Sequence, residues 1–151
     1  TWPFLAAAIG IVFGGWVSDK LLKKTASVNV SRKLPIITGL LLSSVIITAN
    51  WVSNNTIVIV IMSIAFFGQG MVGLGWTLIS DIAPKNMAGL TGGIFNFCAN
   101  MASIITPLII GFIIAGTGNF FYALIYIGLT ALIGLVAYIF IIGDIKRIEF
   151  N

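Results

Sequence analysis

The chain has no histidine, one cysteine and four prolines, and its 151 residues include only eight basic and four acidic side chains. Without histidine, and with Cys98 alone, it has no zinc-deaminase site, no Cys/His protease pair and no disulfide framework, each of which needs several such groups. Charged residues make up 8%, against about 25% in soluble domains, so a polar shell cannot be built. What is abundant is apolar: 59% of residues are hydrophobic and the mean hydropathy is +1.13. Such a surface must face lipid, and the expected fold class is an all-α integral membrane protein. The net charge of +4 sits in short segments between apolar runs, which favours membrane topology over nucleic acid as its explanation. Cys98 is read as a small packing residue.

The charges divide the chain. Residues 1–18, 34–80 and 86–143 are free of charge. A spanning helix needs about 20 residues, so the second and third stretches each have room for two. The second breaks at the polar turn Asn50 to Thr56, where capping residues precede a new helix, and the third at Gly116-Thr117-Gly118-Asn119. The expected spans are 2–18, 34–50, 56–80, 88–115 and 120–142. Five alternating spans place all eight cations on one side: Lys20, Lys23, Lys24, Arg32, Lys33, Lys85, Lys146 and Arg147. By the positive-inside rule that side is cytoplasmic, with the C-terminus inside. The start at Thr1-Trp2-Pro3, with no methionine or basic leader, is expected to belong to a longer polypeptide.

After the first span, Gly15, Asp19, Lys20, Lys23 and Lys24 follow a G-x-x-x-D-[RK]-x-x-[RK]-[RK] spacing. This resembles the signature loop of the major facilitator superfamily, with Leu22 where a glycine is usual. A carboxylate at a helix end can pair with nearby cations and with a neighbouring helix N-terminus, making a latch that opens when two halves rock. Asp19 is the candidate; an ordinary basic loop with one solvated acid is the alternative. Gly10 and Gly14 form a GxxxG pair that permits close helix approach.

Polarity within the apolar spans is concentrated in the third and fourth. Gln69, Gly73, Trp76, Thr77 and Ser80 are expected to share about one helical face, and Asn96, Asn100 and Ser103 recur at i, i+4 and i+7. Pro107, at i+11, cannot bond the Ser103 carbonyl and predicts a kink. At 1.5 Å per residue, Gln69 is roughly 16 Å and Asn96 roughly 12 Å from the nearer basic turn, close to the midplane. Amides at that depth must face other helices or a wet cavity. Interhelical hydrogen bonds would account for them, but glycines at 68, 70, 73 and 75 and the facing Pro107 favour a jointed, partly wet site. Trp76 fits either a cavity wall or an interfacial belt. No charged residue lies within an expected span, so any buried cation or protonatable carboxylate must come from elsewhere. The sequons Asn29-Val30-Ser31 and Asn54-Asn55-Thr56 are read as chance.

A wider resemblance covers the whole chain. Gly15 to Asp19, Ser31-Arg32-Lys33-Leu34-Pro35-Ile36, Ala65-Phe66-Phe67-Gly68-Gln69-Gly70 and Gly75-Trp76 resemble the anion:cation symporter branch of the major facilitator superfamily. So do Asp81 to Lys85, Gly89-Leu90-Thr91-Gly92-Gly93 with Phe95-Asn96, and Gly143-Asp144-Ile145-Lys146-Arg147-Ile148-Glu149. The resemblance implies helices 8 to 12 of a twelve-helix fold, an incomplete C-terminal half whose partners are helices 1 to 7 of the same transporter. It implies proton-coupled import of sugar-acid anions such as glucarate, galactarate, galactonate or hexuronates across a bacterial inner membrane, by rocking of two halves. No cofactor is implied; the coupling proton and the substrate's charge are handled by the N-terminal half. Contacts to substrate hydroxyls are carried over to Asn96 and Trp76, with Gln69, Thr77 and Asn100, and the latch role to Asp19. A small membrane scaffold or subunit remains the competing expectation. An enzyme is disfavoured, for no nucleophile stands beside a base.

Overall fold

A computed structural model of the chain describes residues 1–147. Ile148 and Glu149, the end of the quoted tail motif, lie outside the described residues. The described chain is all helical: α1 (Trp2–Thr25), α2 (Val28–Ser44) continuing as a 3-10 helix (Val45–Trp51), α3 (Asn55–Val72), α4 (Gly75–Ile82), α5 (Ala88–Thr117) and α6 (Phe120–Phe140). Taken with the 3-10 segment and with α3 and α4 as one interrupted element, these make five helices long and apolar enough to cross a membrane. The protein is a multi-pass membrane protein.

Local chemistry explains where these helices begin and end. Asn54 Oδ1 accepts from the backbone N–H of Thr56 at 2.9 Å and caps α3. Asn119 Oδ1 does the same for α6 through Phe121 N–H at 2.9 Å. Gly118 closes α5 in the left-handed region at φ 65°, where the missing Cβ removes the steric cost. Ala26 closes α1 at φ 50° without that advantage.

Three of the expected spans differ from the helices. The first span does not stop at residue 18, because α1 runs on to Thr25 and carries Asp19, Lys20, Lys23 and Lys24 as helix instead of loop. Leu and Lys are good helix formers, and charged side chains project past the hydrocarbon edge without breaking the backbone pattern. The connection to α2 is only Ala26 and Ser27, so Arg32 and Lys33 also ride on a helix. The expected single span 56–80 is interrupted at Gly73 and Leu74. There Gly73 N–H bonds Gly70 O at 3.0 Å and Leu74 N–H bonds Met71 O at 3.3 Å, the i−3 partners of a tightened turn. Glycines at 68, 70, 73 and 75 lower the helix propensity of this stretch enough to permit it. Pro107, where the kink was expected, lies inside α5, which is continuous from Ala88 to Thr117.

Packing is uneven. Helix α1 packs chiefly on α3, α3 on α2, and α2 on α6. Small residues make the seams: Gly10 lies against the Phe67 carbonyl, Gly14 against Met71 and Gly70 against the Ala7 carbonyl. Gly39 and Gly68 face each other so closely that a Cβ on either would overlap the other's carbonyl oxygen. Gly68 and Gly70, expected to favour a jointed, partly wet site, sit in these seams, where small residues allow close van der Waals packing of lipid-embedded helices. A cluster of Ile36, Leu40, Leu74, Leu78 and Ile145 joins α2, α4 and the segment after α6. In contrast, α5 has no buried residue along its 30 positions and, among the described residues, packs chiefly on α6 and α4.

Candidate functional site

The polar residues of α3, α4 and α5 separate into two groups. Gln69 is exposed on α3 and borders a cavity of about 260 Å³ with Ser43, Thr106, Ile110 and Ile127. Ser43 is buried; its hydroxyl is 2.9 Å from Gly39 O and 3.2 Å from Ala65 O, and 3.5 Å from Gln69 Oε1. These bonds tie the serine to the α2–α3 seam and leave the Gln69 amide at the cavity edge. Trp76, beyond the tightened turn at Gly73, also faces α5, nearer the basic end. Its ring meets Phe95 of α5 edge-on, with centroids 4.9 Å apart, a geometry that contributes about 0.5–1.5 kcal/mol beyond area burial. Gly75 leaves the space into which the Phe95 ring and the Tyr138 hydroxyl reach.

Next to Phe95, Asn96 begins the polar row of α5. Asn100 Nδ2 donates to Asn96 Oδ1 at 2.9 Å and to Asn96 O at 2.8 Å, which orients the amide pair along one face. Ser103 bonds back to Ala99 O at 2.9 Å. Asn96 and Asn100 are exposed. Trp76, Phe95, Asn96 and Asn100 thus form one contiguous edge between α4 and α5. Thr77 is half-buried on α4, and among the described residues no hydrogen bond joins Gln69 to this edge. Cys98, expected to be a packing residue, is exposed and lines a cavity of about 460 Å³ with Ile79, Ile82, Pro84, Leu90 and Ile94.

The basic end is organised by a residue outside the signature spacing. Arg32 Nε donates to Asp81 Oδ2 at 2.8 Å, and its Nη1 donates to Ser18 Oγ at 2.8 Å. The same Nη1 stands 3.8 Å from Asp19 Oδ1. One guanidinium therefore links α1, α2 and α4, as its fork geometry allows. Asp19 itself is largely exposed, Lys20 lies 4.7 Å from the centre of the Trp16 ring, and Lys23 and Lys24 stand in the last turn of α1, where cations complement the helix dipole. Gly15 has open space around its Cα. Arg32, Asp81 and Ser18 were present in the motif blocks, but only as parts of a pattern; a serine directly before the aspartate and a basic pair on the next helix were the available signals.

The geometry is that of a multi-pass helical membrane bundle, and comparison with known proteins places it in a family. The model of the Major Facilitator Superfamily matches residues 1–148, and the chain belongs to that superfamily. It is 48% identical over 149 residues to the Probable galactarate/D-glucarate transporter GarP of Escherichia coli K12, covering 99% of this chain and 34% of that protein. Identity to the Probable galactarate/D-glucarate transporter GudP of Bacillus subtilis is 49% over 146 residues, covering 97% and 32%. Identity to the D-galactonate transporter of Escherichia coli O6:H1 is 45% over 148 residues, covering 98% and 34%. The chain spans about a third of the length of these relatives, which are transporters and not enzymes.

Proposed function

We propose that this chain forms helices 8 to 12 of a proton-coupled sugar-acid importer of a bacterial inner membrane, working by rocking of two six-helix halves. One observation carries the reading. The amide row Asn96 and Asn100 stands on α5, a spanning helix without a buried residue, beside the Trp76–Phe95 contact. Amides cannot be left against hydrocarbon, so this edge needs a wet cavity or further helices to cover it. A substrate rich in hydroxyls uses the same donors and acceptors. In this reading Asn96 and Trp76 contact those hydroxyls, Asn100 orients Asn96, and Thr77 and Gln69 flank them. Charge recognition and the coupling proton belong to helices 1 to 7, since the described cations cluster at the basic end, which is the cytoplasmic side. Arg32, Asp81 and Asp19 form the latch there.

The test is uptake of labelled galactarate, glucarate and galactonate by a whole-length polypeptide carrying this segment. Asn96→Ala should lower uptake about tenfold at equal membrane level, the size expected for losing one well-placed hydrogen bond. Unchanged kinetics would make Asn96 a helix-packing amide instead.

A further inference from the structure

After α6 the chain does not leave the bundle. Lys33 Nζ donates to Ile142 O at 2.6 Å, which turns the segment toward α2. Asn29 then grips it twice, donating from Nδ2 to Asp144 Oδ1 at 3.0 Å and accepting the Ile145 N–H at Oδ1 at 2.6 Å. One side-chain amide thus holds both the Asp144 carboxylate and the Ile145 backbone N–H, which pins the segment at these two residues. Ile145 lies inward: it is 5% exposed, within the cluster formed by Ile36 and Leu40 of α2 and Leu74 and Leu78 at α4. Arg147 Nη2 reaches the Ser80 carbonyl at 3.4 Å on the far side of α4. Asp144 also stands 3.7 Å from Lys146, where both are exposed to solvent.

Helix α4 needs such a restraint. It has eight residues, and the tightened turn at Gly73 and Leu74 separates it from α3. A short helix on a glycine joint has little stability of its own. Its orientation is set by what touches it: Phe95 on one side, Tyr138 of α6 near Gly75, Arg32 at Asp81, and the segment carrying Ile145. We propose that residues 142–147 are a strap that holds α4 at the angle presenting Trp76 and Thr77 to substrate, with Asn29 and Ile145 as its positioning residues. This rests on the transport reading above for what Trp76 does, but the strap's action on α4 does not depend on substrate.

The experiment uses the whole-length polypeptide in lipid nanodiscs and in cells, with Asn29→Ala, Ile145→Ala and Ile145→Val. Amide hydrogen exchange across residues 74–83 should quicken several-fold in Asn29→Ala and Ile145→Ala, with α1 unchanged. Ile145→Val, which keeps most of the buried volume, should exchange like the parent. In uptake, the two alanine variants should raise KM several-fold with the maximal rate little altered. Unchanged exchange in α4, or an equal rise in every helix, would overturn the strap. Faster exchange with an unchanged KM would overturn its positioning role. Absence of sugar-acid uptake by the unsubstituted polypeptide would sink the transport reading, while the exchange comparison would still decide the strap.

Discussion

Arg32 and Asp81 are 49 positions apart in sequence, yet Arg32 Nε and Asp81 Oδ2 meet at 2.8 Å where the basic ends of α2 and α4 converge. The arginine side chain is 11% exposed and the aspartate 31%. Arg32→Ala removes two charge-assisted bonds and leaves Asp81 without its partner, so unfolding in detergent should become easier by about 1.5–3 kcal/mol. Arg32→Lys should recover part of this only, because a single ammonium cannot serve Asp81 and Ser18 from one fork. Equal stability of Arg32→Ala and the parent would refute the linking role.

The Gly39–Gly68 contact yields a prediction with an internal control. Gly68→Ala drives a Cβ into the Gly39 carbonyl and the Leu42 side chain, and should cost about 1–3 kcal/mol through forced separation of α2 and α3. Gly92→Ala on α5 meets nothing within 4 Å and should be neutral or stabilising by up to about 1 kcal/mol, since alanine is the better helix former. Thermal melts in one detergent compare the two directly.

At Ala26 the left-handed cap makes the opposite forecast. Ala26→Gly relieves the Cβ strain at φ 50° and should stabilise the α1 end by roughly 0.5–1 kcal/mol, partly offset by the freer unfolded chain. A lowered melting temperature would contradict this account of the cap.

Trp76 separates packing from recognition. Trp76→Phe keeps an aromatic edge against Phe95 but loses the indole N–H, whereas Trp76→Ala loses both. Uptake by the whole-length polypeptide should fall in both variants, with membrane level preserved in Trp76→Phe. Full uptake by Trp76→Phe would remove the indole from substrate binding.

Orientation has a direct test. Lys85→Cys, in a Cys98→Ser background, should react with a membrane-impermeant maleimide in inside-out vesicles and resist it in right-side-out cells. The reverse pattern would invert the topology drawn from the cation distribution.

Much of the architecture was legible in the chain. Charge-free runs bounded by polar turns located five spanning elements, and Asn54 and Asn119 cap helices where those turns were placed. The α3/α4 break was not legible as a break, because the glycines that permit it also suit close packing, and Gly68 and Gly70 are used for packing. Asn96 and Asn100 were visible as a row by their i, i+4 spacing. That Trp76 meets Phe95 next to this row, and that Gln69 lies 3.5 Å from Ser43 at a cavity also bordered by Thr106 of α5, depends on how the helices cross and was not legible in the 3.6-residue period.

Sequence alone determined the solvent, the number of spans and the side on which the cations gather, since transfer into lipid depends on composition summed along the chain. Tertiary structure alone decided that Arg32 binds Asp81, that Asn29 holds residues 144 and 145, and that Ile145 enters the cluster of α2 and α4. Those contacts depend on how helices cross and at what distance, a property of pairs of surfaces that no hydropathy pattern within one helix contains.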